Sequence, residues 1–326
     1  MKTLIIPCAG GKKINGIPSY LLRHPDGKLL ITKCAESAQM DRQDNIVVAI
    51  LKEDDEKYQA ADTIYNELKD QLNIDVVVLN EANGGAAETV YKTIQTKKIV
   101  GEIAIKDTNN FLKTPTFNHR NYIVGMNLMK HKCDIHKLRK KSFLRVNENG
   151  QVLDIIEKHI LSEYICVGLY GVSNARDFVD AYLRMTDNSY PVDKIYISHV
   201  ITYLMGYNNK IFHYVEADYV EDWSEEKTWM QVQDRYALYF INMDTLFKDM
   251  LNDIKENNME KLRILSKNGA CFIGFTSGSI DRADYVQNIL RQNEVNCLRV
   301  VGDCPFSLVK KIMETQKDID RYFYAI

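Results

Sequence analysis

The chain has little to bind it to a membrane, a polyanion or an oxidising compartment. Its first apolar run, Leu4–Ile6, is stopped at once by Pro7 and a glycine pair, well short of a secretory apolar region. No stretch approaches the ~20 apolar residues that cross a bilayer. Neither sign of charge dominates, since 42 Lys and Arg face 44 Asp and Glu for a net charge of -2. No general pull toward nucleic acid or anionic lipid follows, so phosphate recognition has to be local. The seven cysteines are scattered and contain no Cys-x-x-Cys pair, which argues against a disulfide framework or a zinc site. Cys166 and Cys271 lie in apolar runs and read as small buried hydrophobes. Only six prolines and no low-complexity stretch argue against disordered tails. The histidines (His24, His119, His131, His136, His159, His199 and His213) show no metal-ligand spacing. The expectation is a soluble, cytoplasmic protein with no membrane span and no nucleic-acid partner.

What the chain does have is alternation. At 326 residues it is long enough for two compact units. Over the first ~230 residues, short apolar runs alternate with amphipathic stretches, the pattern of a mostly parallel sheet covered by helices. Strands are expected at Leu4–Ile6, Asn45–Leu51, Ile74–Leu79 and Ile99–Ile105, and helices at Leu29–Met40, Asp54–Leu72 and Ala86–Thr96. Nearly every strand ends on a polar or glycine-rich turn, and in open α/β sheets ligands sit at that carboxyl edge. After Asn121 the runs Phe143–Val146, Val152–Ile156 and Tyr164–Val172 alternate like antiparallel strands, with Asn147-Glu148-Asn149-Gly150 as a hairpin turn. Helices follow at Ala175–Met185 and Lys194–Met205. A second βαβ arrangement then combines strands Ala237–Ile241, Ala270–Phe275 and Cys297–Val301 with helices Asp244–Glu256, Glu260–Asn268 and Ala283–Gln292.

Four short segments could carry chemistry. Ala9-Gly10-Gly11-Lys12-Lys13 follows a buried strand, where backbone amides can approach an anion and paired lysines can meet phosphate charge. Taken alone, such a glycine pair is more often only a turn, and it matches neither the Walker A nor the dinucleotide pattern. Asn83-Gly84-Gly85-Ala86 opens a helix with small residues that admit a flat or charged ligand to free amides; close helix–sheet packing would ask for the same residues. Asp107 ends the fourth strand and, with Asp222 of Val220-Glu221-Asp222-Trp223, could hold Mg²⁺ against a triphosphate. The blander readings are a helix N-cap for Asp107 and a solvated acidic loop for Asp222. Glu157-Lys158 at a strand edge could meet a hydroxylated, phosphorylated substrate, although an exposed Glu-Lys pair is usually just surface.

In order and spacing these segments resemble the sugar-phosphate nucleotidyltransferases, with a glycosyltransferase-A-like Rossmann fold. The nearest likeness is to bacterial capsule and surface-polysaccharide proteins that end in a haloacid-dehalogenase-like domain. The resemblance implies a nucleotidyltransferase domain over 1–232 with a mixed, mostly parallel sheet and flanking helices, and a small α/β domain over 236–326. It implies nucleotide contacts at Ala9, Gly10, Gly11, Gly84, Gly85 and Ala86, Mg²⁺ at Asp107 and Asp222, and substrate contacts at Glu157, Lys158 and Gly168. Lys12, Lys13 and Lys158 would neutralise phosphate. The implied reaction joins a nucleotide from CTP or UTP to a small phosphorylated compound and releases pyrophosphate.

The chain departs from the family pattern where Lys12-Lys13 replace an arginine, where Ser19 follows Pro18 in place of lysine, and where Asn109 replaces a second acidic residue. Alternatives of other classes are a silent nucleotide or nucleotide-sugar binding protein and a glycosyltransferase of similar fold. In the second domain, Asn242-Met243-Asp244 and Thr276-Ser277-Gly278 resemble phosphatase motifs, with Lys310 or Lys311 as the lysine of a third. An amide at position 242 cannot form the aspartyl phosphate. That domain therefore reads as a non-catalytic remnant with a structural role or one in subunit contacts, as in a homo-oligomer.

Overall fold

A computed structural model describes residues 2–10, 13–14, 16–70, 73–81, 84–131, 138–187, 194–233, 238–247, 254–267, 270–315 and 322–324. The chain divides into two compact units, one of Met1–Leu21 with Ile31–Ser224 and one of Leu22–Leu30 with Glu225–Ile326.

The first unit begins with β1 (Thr3–Pro7), β2 (Lys13–Ile14), β3 (Ile17–Pro18), α1 (Leu30–Glu36), β4 (Asn45–Leu51), α2 (Lys52–Tyr58), α3 (Ala60–Leu68), β5 (Asn73–Leu79) and α4 (Ala86–Lys97). It continues with β6 (Ile103–Lys106), β7 (Asn110–Lys113), β8 (Tyr122–Asn127), β9 (Ser142–Val146), β10 (Gln151–Glu157), β11 (Tyr164–Val172), α5 (Ala175–Asp187), α6 (Ile197–Asn208), β12 (Phe212–Glu216) and β13 (Tyr219–Asp222). Among the described residues, nine strands form one sheet in the order β5-β4-β1-β6-β11-β8-β12-β10-β9. β1 is buried at all five positions, as expected of a central parallel strand covered on both faces. Ile5, Ile103 and Ile105 pack with Val90 and Ile94 of α4 and Phe178 of α5 in one core cluster. The carboxyl ends of β1 and β6 lie side by side, since Ile5 pairs with Ile105. The turns after Pro7 and Lys106 therefore share one sheet edge.

The expected α/β class holds, with several local differences. Only β5, β4, β1 and β6 run parallel as a block, and beyond them parallel and antiparallel pairs mix. Hairpins enter that half of the sheet; the turn after Asn147 closes with Gly150 at φ +73° and joins antiparallel β9 and β10. The helix expected over 54–72 is two helices. Gln59 adopts φ +50°, and the Asp55 carboxylate takes the Ala61 amide (2.8 Å) to cap the second. The strands β7, β8, β12 and β13 give weaker periodic signals, and β13 in particular reads as an acidic loop.

The second unit begins with α7 (Glu226–Gln233), β14 (Leu238–Asn242), α8 (Glu256–Lys267), β15 (Cys271–Phe275) and α9 (Ile280–Gln292). β16 (Cys297–Val301), α10 (Phe306–Thr315) and β17 (Tyr322–Tyr324) complete it. Its parallel sheet runs β16-β15-β14-β17. The helix expected at 244–256 is not continuous. Met243–Leu246 make one 3-10 turn, anchored by the Asn242 side chain accepting the Asp244 N–H (3.1 Å), and Phe247 pairs with Ile254. Residues 22–30 join this unit through Asn296, whose amide donates to the Pro25 carbonyl (3.1 Å). Among the described residues no helix is long and apolar enough to cross a membrane.

Candidate active site

The site grows from the end of β6. Lys106 is fully buried, and its ammonium turns back onto its own chain, donating to the Asp107 carbonyl (2.6 Å), the Asn110 carbonyl (2.9 Å) and Asn110 Oδ1 (2.9 Å). Burial pushes this amine below the usual lysine range. The Asn110 amide then donates to the Val167 carbonyl and to Asn109 Oδ1, both at 3.0 Å. These bonds fix the reversal between β6 and β7 that presents Asp107. The residue thus joins two strands and does not cap a helix.

Asp107 donates its N–H to the Gly168 carbonyl (2.8 Å). Gly168 sits at φ +78°, and a Cβ there would come 2.5 Å from Asp107 Oδ2 and 2.8 Å from its Cβ and Cγ. Only glycine fits this approach. Burial pushes the Asp107 carboxyl up to about 6; Lys106 and Lys141 oppose the shift and Glu157 adds to it. Gly168→Ala should cost about 1–3 kcal/mol through backbone strain, with further loss from the contact with Asp107. A urea unfolding midpoint equal to that of the parent chain would refute this.

Asp222 reaches the same place from β13, which pairs with β7 so that Asp222 stands opposite Asn110. The segment is not a solvated loop: Glu221 is 3% exposed and accepts the Tyr219 hydroxyl (2.9 Å). Trp223, 1% exposed, donates its N–H to the Asn109 carbonyl (3.0 Å) and its indole N–H to the Thr108 carbonyl (2.8 Å). The two carboxylate-bearing turns are thereby clamped together. Asp222 Oδ1 accepts the Ser224 N–H (2.7 Å), and Oδ2 lies 3.3 Å from Lys141 Nζ.

A second group adjoins through residues 141–142. Ser142 and Ser198 donate to Glu157 Oε2 (2.6 and 2.7 Å). Lys158, at φ +57°, donates its N–H to the Lys141 carbonyl (3.1 Å) and its ammonium to the Tyr196 hydroxyl (2.5 Å). That hydroxyl holds the Lys158 amine above the usual lysine range. Two residues before Tyr196, Lys194 lies against Gly85, where a Cβ would come 2.5 Å from its Cε. Gly84 donates its N–H to Glu88 Oε2 (2.7 Å) at the start of α4, which Ala86 opens.

These contacts join Asp107, Gly168, Asp222, Glu157, Lys158 and Gly85 into one continuous group, with Ala9 and Gly10 on the loop that leaves the same sheet edge. Lys13 takes a different course. Its ammonium pairs with Glu53 (3.0 Å) and Asp54 (3.3 Å) on α2, while Tyr20 donates to Asp54 (3.1 Å). Ser19 is buried, at 6% exposure. Gly11, Lys12 and Asn83 lie outside the described residues. Sequence patterns give no hint of Lys141, Ser142, Tyr196, Ser198 or the clamp by Trp223, because each acts through a partner distant in the chain.

Among the described residues no group of three or more His, Cys, Asp or Glu side chains could hold a metal ion unaided. Two carboxylates on adjoining turns do fit the hard-oxygen chemistry of Mg²⁺, which takes one or two carboxylates and completes its shell with phosphate oxygens and water.

No family model matches the chain, and no curated protein matches it in sequence. Solved structures do. A nucleoside-diphosphate-sugar pyrophosphorylase from Vibrio cholerae RC9 matches at TM-score 0.55 and 16% identity, covering 72% of this chain and 100% of its own. The inositol-1-phosphate CTP transferase of T. maritima matches at TM-score 0.53 and 13% identity, over 73% of this chain and 98% of its own. A UDP-glucose pyrophosphorylase complexed with UDP-glucose gives 0.54 and 13%, over 72% and 98%. The chain shares the fold of these nucleotidyltransferases. At such identities the likeness is one of fold.

In the second unit, Asp244 is held by neighbouring donors. It accepts the Thr276 hydroxyl (2.5 Å) and both the N–H (3.0 Å) and hydroxyl (2.7 Å) of Ser277. Burial opposes ionisation there, but these donors prevail and keep the carboxyl below its usual range. Asn242, two residues earlier, accepts the Asp244 N–H.

Proposed function

We propose that residues 1–232, which hold the first unit together with residues 22–30 and 225–232 of the second, form an Mg²⁺-dependent nucleotidyltransferase. It would join a nucleoside monophosphate from CTP or UTP to a small phosphorylated compound and release pyrophosphate, in capsule or surface-polysaccharide precursor synthesis. The observation that carries this reading is the convergence of Asp107, Asp222, Glu157 and Lys158 at one edge of a pyrophosphorylase-like sheet. An acceptor phosphate is already ionised at neutral pH, so in-line attack of its oxygen on the α-phosphorus needs no general base. Positioning and charge neutralisation supply the catalysis. Magnesium, when bound, would neutralise triphosphate charge. Asp107 and Asp222 would hold it, Glu157 would accept hydrogen bonds from the acceptor's hydroxyls and Lys158 would meet its phosphate. Gly168 would floor that subsite, while Ala9, Gly10, Gly11, Gly84, Gly85 and Ala86 would line the nucleotide, with Lys12 and Lys13 beside its phosphates. Residues 236–326 form a degenerate haloacid-dehalogenase-like domain in this reading, since the amide of Asn242 cannot be phosphorylated.

A silent nucleotide-binding role is favoured by the pairing of Lys13 with Glu53 and Asp54 and by the burial of Ser19. A thermal-shift panel with CTP, UTP, ATP and GTP plus Mg²⁺, followed by pyrophosphate release with candidate phosphorylated acceptors, separates the two. Stabilisation by one triphosphate with pyrophosphate release is expected. Stabilisation without any release across the acceptors would favour the silent role, and no stabilisation would sink both. Incubation with a generic phosphate ester should release no phosphate.

A further inference from the structure

Lys141 stands between the two groups of the site and belongs to neither motif. Its ammonium lies 3.3 Å from Asp222 Oδ2, with side-chain exposures of 20% and 23%. Its charge also reaches Asp107 and Lys106, lowering the pKa of each. Its backbone is pinned on both sides: the N–H donates to the Leu138 carbonyl (3.1 Å) and the carbonyl accepts the Lys158 N–H (3.1 Å). The next residue, Ser142, holds Glu157. Only the four-carbon side chain is left to move.

A cation on Asp222 Oδ2 and a divalent ion on the same oxygen would repel strongly at that range. One must leave when the other arrives. Phosphate oxygens brought in with the metal are the natural new partner for a displaced ammonium, because Lys binds phosphate as a mobile point charge. We infer that Lys141 is an exchangeable cation: it neutralises the Asp222 carboxylate when no metal nucleotide is bound and transfers to a substrate phosphate when Asp222 takes the metal. It therefore weakens binding of the free metal and strengthens binding of the metal–triphosphate. The inference rests on the nucleotidyl-transfer reading of the site.

The test uses the full chain and Mn²⁺ as a spectroscopic stand-in, with binding followed by electron paramagnetic resonance. Lys141→Gln keeps length and polarity but removes the charge. The pair is about four-fifths buried, and removing one partner of such a pair costs stability, so thermal unfolding of the variant is checked alongside. Expected are Mn²⁺ binding about five- to tenfold tighter without nucleotide, from the lost repulsion, and triphosphate binding weakened about tenfold. Lys141→Arg should restore both toward the parent values. Should Lys141→Gln misfold, Lys141→Met read in the same two measurements replaces it. Unchanged or weaker Mn²⁺ binding in the uncharged variant, while Asp107→Asn abolishes binding, overturns this inference alone. Absence of Mn²⁺ binding in every chain, with or without triphosphate, overturns the nucleotidyl-transfer reading and this inference with it.

Discussion

Asp107→Asn should cut pyrophosphate release by orders of magnitude without destabilising the fold. The side chains are isosteric, and the backbone bond from residue 107 to the Gly168 carbonyl survives. What disappears is the negative charge that a divalent ion requires, and metal neutralisation of phosphate is worth several kcal/mol in the transition state. Folding stability should move the other way. In the metal-free protein the folded pKa is raised from 3.8 to about 6, so the fold binds the proton better than the unfolded chain does. This contribution is fully present below the unfolded pKa and is lost as pH rises through the folded one. The asparagine removes the burden of burying a charge at neutral pH. Thermal unfolding at pH 7–8 should therefore show the variant at least as stable as the parent chain, with the advantage fading as pH falls from about 6 to 3.8 and gone below that. Turnover within a few-fold of the parent would show that the metal site is misplaced, and Asp222→Asn should give a parallel loss.

Trp223→Ala should destabilise the first unit strongly. The side chain is among the largest fully buried ones, at 1% exposure, and its truncation costs about 3–5 kcal/mol in cavity and lost burial. It also leaves the Thr108 carbonyl without its indole donor, which adds about 1–3 kcal/mol where that carbonyl stays buried. Trp223→Phe separates the two effects, since it keeps most of the bulk and loses only the N–H. Urea unfolding should place the phenylalanine variant between the parent and the alanine variant. Its pyrophosphate release should fall further than its stability does, because the 108–109 turn loses its indole tie to Trp223, the neighbour of Asp222. An alanine variant within about 1 kcal/mol of the parent would disprove the clamp.

Much of the frame can be read in the sequence because burial on both faces writes an unbroken apolar run. Asn45–Leu51 and Tyr164–Val172 have the expected bounds for that reason. Acidic strands are harder to see. The buried Glu221 accepts the Tyr219 hydroxyl, and no periodicity announces such a partner. The helix break at Gln59 is equally silent, since it depends on one carboxylate capping the next helix. At the site, Asp107 and Glu157 stand out as charged residues at strand ends. Lys141 and Trp223 act across gaps of 81 and 115 residues, so only the fold reveals them.

The composition of the second unit bears on the order in which the protein is made. Pro25 emerges from the ribosome early, but its partner Asn296 lies 271 residues later. At about 5–20 residues per second, residues 22–30 wait roughly 15–50 s before that contact can form. During this interval the nascent first unit carries a segment whose final home does not yet exist. A chain cut near residue 232 would leave it in that condition permanently.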